Sequence, residues 1–172
     1  TYAGIYRDVW LKVTDPVSIA NLKIETHNVL AEEKSASVRV DLANLQQLTF
    51  LGSVSASLKD EDGRVLATAS AETTGEDVTL SFNELTGISL WDIDNPALYE
   101  VTVELKTSHG SDRVSSHFGF RTAEFTIEGF LLNGRPLKLR GLNRHQAFPY
   151  VGYAAGRSAQ ERDADIMKSV LK

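Results

Sequence analysis

Val54-Ser55-Ala56-Ser57-Leu58-Lys59-Asp60-Glu61-Asp62-Gly63-Arg64-Val65-Leu66-Ala67-Thr68-Ala69 is the stretch whose reading decides the fold class. Val54, Ala56 and Leu58 alternate with polar residues, and beyond Glu61-Asp62-Gly63 the alternation resumes through Val65, Ala67 and Ala69. A strand sends every second side chain to the same face, so this spacing buries one face and leaves the other wet. The Asp-Gly pair supplies the positive φ of a tight hairpin, so the two runs are expected to be antiparallel neighbours.

The same period extends in both directions. Toward the N-terminus, Ala20, Leu22 and Ile24 alternate with Asn21, Lys23 and Glu25, and Val38, Val40 and Leu42 with Arg39 and Asp41. Toward the C-terminus come Val78, Leu80 and Phe82, then Tyr99, Val101, Val103 and Leu105, a turn at Ser108-His109-Gly110, and a run from Val114 to Phe120. Seven short strands separated by turn signals predict an antiparallel, immunoglobulin-like β-sandwich over residues 14–121. There is no internal repeat and no low-complexity tract.

Size and charge bound what such a chain can be. With 172 residues, 42% of them apolar, it has enough chain for one well-buried domain and part of a second. The net charge of -5 is mild and scattered, which speaks against a nucleic-acid partner. Absence of cysteine excludes a disulfide framework and a thiolate zinc site, and suits a reducing compartment such as the bacterial cytoplasm. No run approaches the roughly 18 apolar residues of a membrane span. The opening segment, Thr1 to Trp10, carries Arg7 and Asp8 and does not read as a signal peptide.

From about Thr122 the texture changes. Phe125-Thr126-Ile127 and Phe130-Leu131-Leu132 flank Glu128-Gly129, and Asn133-Gly134 turns the chain toward Leu137-Lys138-Leu139. Residues 141–157 are rich in glycine and aromatic residues and read as a loop. Ser158 to Lys172 reads as the one helix, started by a Ser158–Glu161 capping box. Its apolar face would carry Ile166, Met167, Val170 and Leu171. A strand at Lys138–Arg140, the loop and this helix make one βα unit, which cannot bury both of its own faces, so more chain is expected beyond Lys172.

Three segments together resemble glycoside hydrolase family 2. Gly4-Ile5-Tyr6-Arg7-Asp8-Val9-Trp10-Leu11 resembles the end of the family's N-terminal jelly-roll, sugar-binding-like domain. Leu90-Trp91-Asp92 through Asn95-Pro96-Ala97-Leu98-Tyr99, with Phe118-Gly119-Phe120-Arg121, resembles the last strands of its immunoglobulin-like domain. Leu132-Asn133-Gly134-Arg135-Pro136 and Leu139-Arg140-Gly141-Leu142-Asn143-Arg144-His145 resemble the start of its catalytic (β/α)8 barrel. The resemblance implies a mainly β fragment: residues 1–13 ending the first domain, 14–121 forming the sandwich, and 122–172 a truncated barrel stub holding its first βα unit.

The implied activity is that of a retaining glycosidase. Asn143-Arg144-His145 and Asp8 are more similar to members acting on terminal β-D-galactosides than to those acting on glucuronides or mannosides. Gln146 departs from the glutamate of many members. Such enzymes use two glutamates, one protonating the leaving oxygen and one attacking the anomeric carbon, with carboxyls about 5 Å apart. None of the glutamates here matches those motifs, so the chain by itself is expected to be inactive. The alternative from another class is a non-catalytic immunoglobulin-like binding or spacer module, since fold does not dictate function.

By resemblance, the substrate-binding residues of the whole enzyme are His145, Asn143, Arg144 and Asp8. His145 would meet sugar hydroxyls, which suits a ring that both donates and accepts, or it would only hydrogen-bond the local backbone. Arg140 and Arg144 would orient carboxylates by bidentate pairing or form structural salt bridges. Asn143 would bond sugar or close the turn. Asp8 would reach the sugar's 6-hydroxyl and help hold a monovalent cation, or be a solvated terminal residue. His27, His109 and His117 share no metal-ligand spacing. Trp10, Trp91, Tyr150 and Tyr153 are candidates for stacking on sugar, with Trp91 better suited to packing the sandwich end. No cofactor is required by the fragment, whereas the family implies sodium and magnesium for the whole enzyme, together with a homo-oligomer. The bare barrel stub, with Phe125, Ile127, Phe130, Leu131, Leu132, Leu137 and Leu139, would leave apolar surface through which the fragment could dimerise.

Overall fold

The computed structural model describes residues 4–5, 7–141, 143–145 and 147–170. Seven strands form two antiparallel sheets: β1 (Val17–His27), β2 (Lys34–Asn44), β3 (Gly52–Lys59), β4 (Val65–Thr73), β5 (Asp77–Leu85), β6 (Tyr99–Thr107) and β7 (Gly110–Phe118). One sheet has the order β1-β2-β5 and the other β4-β3-β6-β7. Val38, Val40, Leu80 and Phe82 from the first sheet and Val54, Leu58, Val101, Val103 and Leu105 from the second share one buried cluster. Their alternation with exposed residues is the period-2 pattern, and it places the core between the sheets.

The deciding hairpin forms as expected, with β3 and β4 paired antiparallel from Gly52–Thr73 to Lys59–Val65. Gly63 takes φ +79, but Asp60 organises the turn. Its carboxylate accepts the N–H groups of Asp62 and Arg64 at 3.1 and 2.9 Å, fixing backbone donors that the strands cannot use.

β1 departs from simple alternation. Val17 and Ile19 are buried, whereas Ala20 is exposed, and Leu22, Ile24 and Thr26 carry the inward phase beyond it. A bulge between Ile19 and Asn21 shifts the register by one residue, so Ala20 does not share the face of Leu22 and Ile24. Across the gap between sheets, the Ile19 N–H donates to the Asp112 carboxylate at 2.9 Å. Asp15 returns the link by accepting the Ser111 N–H at 2.8 Å. Two carboxylates thus stitch edge strand β1 to edge strand β7.

The far end of the sandwich is closed by aromatic packing. Phe120 is fully buried and meets Tyr99 edge-on, with ring centroids 5.4 Å apart. The Ser89 N–H donates to the Tyr99 hydroxyl at 2.8 Å, and the Trp91 N–H donates to the Phe120 carbonyl at 2.9 Å. Beyond it a small sheet of β8 (Ala123–Thr126), β9 (Gly129–Leu132) and β10 (Arg135–Pro136) runs in the order β10-β9-β8. Asn133 and Gly134, at φ +50 and +73, make the two-residue turn between β9 and β10.

Asn133 does more than turn the chain. Its side-chain amide donates to the Trp91 carbonyl at 3.0 Å and its side-chain oxygen accepts the Thr122 N–H at 3.0 Å, while its own N–H donates to the Thr122 carbonyl at 3.0 Å. One compact unit therefore runs over Val13–Leu139, and the other comprises Thr1–Lys12 with Arg140–Lys172.

Two local expectations are corrected. Residues 137–141 form no strand, because after the Leu137 N–H donates to the Phe130 carbonyl no neighbouring backbone among the described residues is aligned to pair with them. The helix α1 spans Arg157–Val170, with Ser158 inside its first turn. There the Gly156 carbonyl accepts the N–H groups of Ala159 and Gln160, and Glu161 takes the Arg157 guanidinium at 2.7 Å instead of completing a capping box. Leu171 and Lys172 lie outside the described residues, and Ile166 and Val170 on the helix are exposed.

Replacing Asn133 by glycine keeps the positive φ but removes both side-chain hydrogen bonds, leaving the Trp91 carbonyl and Thr122 N–H to find other partners. The expected loss is about 1–3 kcal/mol of stability, read from urea unfolding with the m-value unchanged.

Candidate functional site

The loop after Gly141 and the helix it leads into hold most of the residues singled out above. Within this loop the Phe148 and Gly152 backbones exchange hydrogen bonds at 3.0 and 2.9 Å, and Tyr150 takes φ +68 at its tip. Arg144 is half-buried, and its guanidinium is turned to α1. Its Nε donates to Asp163 Oδ2 at 2.9 Å, and Nη2 donates to the same oxygen. Nη1 donates to Gln160 Oε1 at 2.7 Å. The guanidinium also lies 5.8 Å from the centroid of Phe148. Arg144 thus forms a salt bridge with Asp163 on α1.

His145, next in the chain, is exposed, and its ring centroid is 6.0 Å from that of Tyr153. Asn143 is exposed. Leu142 and Gln146 lie outside the described residues, so the departure at Gln146 has no structural account. Asp8 is exposed, as is Trp10, while Tyr6 lies outside the described residues. Among the described residues no three His, Asp or Glu side chains converge on a metal-sized site. No described helix is long and apolar enough to cross a membrane.

Trp91 packs the sandwich end, with the Arg121 guanidinium 4.6 Å from its ring centroid. The remaining histidines each have a neighbour on the sandwich: His27 Nε2 lies 3.1 Å from Ser37 Oγ, His109 Nε2 lies 3.1 Å from the Thr49 carbonyl, and His117 faces Glu100 at 3.7 Å.

Several sandwich glutamates are taken up in local pairs. Glu104 meets Arg113 at 3.6 Å, Glu61 accepts the Leu98 N–H at 3.0 Å, and Glu25 meets Lys23 at 2.9 Å. The hydrogen bond from Lys23, reinforced by its charge, holds the Glu25 carboxyl below its ordinary value of 4.5. Arg39 does the same for Asp41. A glycosidase acid needs the opposite displacement, toward neutrality. Sequence reasoning did not single out Gln160 or Asp163. Their i, i+3 spacing on one helix face was available, but it acquires meaning only beside Arg144.

A mainly β chain with paired sandwich sheets, a small hairpin sheet and a loop leading into one helix is the class defined by these observations. The family model for glycosyl hydrolases family 2 matches residues 17–121, and the chain belongs to that family. It is 58% identical to a β-galactosidase of Rhizobium meliloti over 98% of this chain and 22% of that protein. It is 46% identical to a β-galactosidase of Thermoanaerobacterium thermosulfurigenes over 99% of this chain and 24% of that protein. Among solved structures, a β-glycosidase from Bacteroides vulgatus superposes with a TM-score of 0.84 at 25% identity, over 96% of this chain and 21% of that one. The chain thus spans less than a quarter of each of these proteins.

The Glu25 carboxyl should titrate below 4.5 by carbon-detected NMR, and Lys23→Met should raise its midpoint toward that value. Because the folded value is the lowered one, the small stabilisation is present above the unfolded value and disappears as pH falls through the folded one. A midpoint unmoved by Lys23→Met would show that the ion pair is not formed in solution.

Proposed function

We propose that this chain is the sandwich and early-barrel part of a retaining β-glycosidase that hydrolyses terminal β-D-galactosides. The observation that carries this reading is the 58% identity to a β-galactosidase over 98% of the chain, which takes in both the sandwich and the Asn143-Arg144-His145 segment. The three-plus-four strand order supports an immunoglobulin-like sandwich acting as a spacer before the barrel. In this reading residues 138–140 take up strand pairing once neighbouring barrel strands are supplied, and residues 1–13 end the preceding sugar-binding-like domain.

The chemistry needs an acid glutamate to protonate the glycosidic oxygen and a nucleophilic glutamate to attack the anomeric carbon. Both belong to later barrel strands, so this chain alone is inert. It contributes His145 and Asn143 to sugar hydroxyls at the C-terminal end of the first barrel strand, where barrel enzymes build their sites. Arg144 supports that loop. Asp8 reaches the sugar's 6-hydroxyl and offers one oxygen to a monovalent cation, with sodium and magnesium as the ions of the whole enzyme. The lack of cysteine fits a bacterial cytoplasmic protein.

The test is to extend the chain to its natural open reading frame and assay nitrophenyl β-galactoside, β-glucuronide and β-mannoside beside the 172-residue chain. Turnover of the galactoside by the extended protein alone is expected. His145→Ala in that protein should lower kcat/KM by roughly 10- to 100-fold, the worth of one lost buried hydrogen bond. A folded extended protein that hydrolyses none of the three would favour the binding or spacer module.

The hairpin sheet supports a further part of the reading. Phe125 is 82% and Leu139 61% exposed, and they border an open groove of about 730 Å³ with Phe130, Leu131 and Leu137; Ile127, in the turn after β8, is fully exposed. In the whole enzyme, itself a homo-oligomer, the rest of the barrel covers this surface. In the isolated chain a second copy covers it, so light scattering should show a dimer that Phe125→Asp converts to monomer. A monomer at all concentrations would remove the second copy from this reading.

A further inference from the structure

Arg144, Gln160, Asp163 and Ala155 form a closed set of contacts around the loop that carries His145. Arg144 sits immediately before His145 and reaches across 16 and 19 residues of chain to Gln160 and Asp163. Gln160 is bound at both ends of its amide. Its oxygen accepts Arg144 Nη1 at 2.7 Å, and its nitrogen donates to the Ala155 carbonyl at 3.4 Å. The start and the end of the loop are therefore held to the same helix face. The inner turn closed between Phe148 and Gly152 leans on the guanidinium through the Phe148 ring.

We infer that Asp163 and Gln160 are positioning residues that fix the His145 loop through Arg144. Four features carry the inference. A glycine-rich loop has many conformations to lose, so a site residue on it needs a rigid neighbour. The side chains of Arg144 and Asp163 are only 26% and 32% exposed, so their pairing is less screened than that of the surface pairs on the sandwich. A guanidinium presents a planar fork, and here it is used by three donors on two acceptors at once, which an ammonium cannot reproduce. Finally, Gln160 and Asp163 are three residues apart on α1, so one rigid element presents both acceptors to one guanidinium.

The consequence for catalysis rests on the β-galactosidase reading, whereas the clamp itself does not. If His145 acts on the sugar, its placement depends on a loop anchored one residue away, and an error of about 1 Å there costs on the order of 100-fold in rate. Asp163 acts through Arg144 and needs no contact with substrate.

The experiment has two arms. In the 172-residue chain, the Arg144 Nε–H should give a slowly exchanging NMR signal. Asp163→Asn or Gln160→Met should abolish its protection and raise backbone mobility over residues 143–155, while the sandwich signals stay in place. Mobility of the loop unchanged by either variant would overturn the clamp.

In the extended protein, Asp163→Asn should lower kcat/KM for nitrophenyl β-galactoside at least about tenfold. The same change in a His145→Ala background should cost less than about twofold, because the group being positioned is gone. Asp163→Glu, which keeps a carboxylate, should recover part of the rate. Equal losses in both backgrounds would overturn positioning of His145. Should the wild-type extended protein hydrolyse no galactoside, the substrate reading fails, and the NMR arm still decides the clamp.

Discussion

Every strand from β1 to β7 is constrained by one requirement: the two sheets must share a single dry layer while all their buried backbone groups stay paired. Val38, Val40, Val54, Val101 and Val103 are fully buried in that layer, and each sits on a strand hydrogen-bonded on both sides. The edges lack that pairing and are handled one by one. β1 breaks its register at Ile19, and the freed N–H is taken by Asp112 from the opposite sheet. Asp15 serves Ser111 in the same way. A carboxylate accepts such a bond strongly, and it closes the gap between sheets without a further strand.

The end of the sandwich sets where the chain goes next. Tyr99 and Phe120 close the core, Trp91 borrows the Phe120 carbonyl, and Asn133 in turn takes the Trp91 carbonyl. The small hairpin sheet is thereby an outgrowth of the sandwich end, held by one amide that satisfies a donor and an acceptor at once. Its own apolar side chains, Phe125 and Ile127 foremost, remain exposed. The relatives that the chain matches are more than four times as long.

The charge distribution separates surface order from site order. On the sandwich, ions pair locally and in water, Lys23 with Glu25 and Arg39 with Asp41, where pairing contributes little to stability. In the loop and helix the pair of Arg144 and Asp163 is partly withdrawn from solvent and joined by Gln160. The same elements that leave His145 exposed hold the residue before it. Exposure of His145 beside a restrained Arg144 is the arrangement on which the proposed positioning role rests.

The sequence by itself determined the sandwich, because alternation of period two has only one economical burial and because Asp62-Gly63 and Asn133-Gly134 dictate their turns locally. It also carried the family resemblance, which lies in local strings such as Asn143-Arg144-His145. It could not place the β1 bulge, since Ala20 continues the alternation of Leu22 and Ile24 on paper and only pairing with β2 shows the slip. Nor could it weigh Ser158 against Gly156 as the start of α1, because a cap depends on which carbonyl the first N–H groups reach. Only the tertiary structure decided that Asn133 ties the hairpin sheet to Trp91, and that Arg144 belongs to Asp163 and Gln160. Those bonds join residues 16 to 42 positions apart, and a hydrogen bond of that range leaves no periodic trace in the sequence.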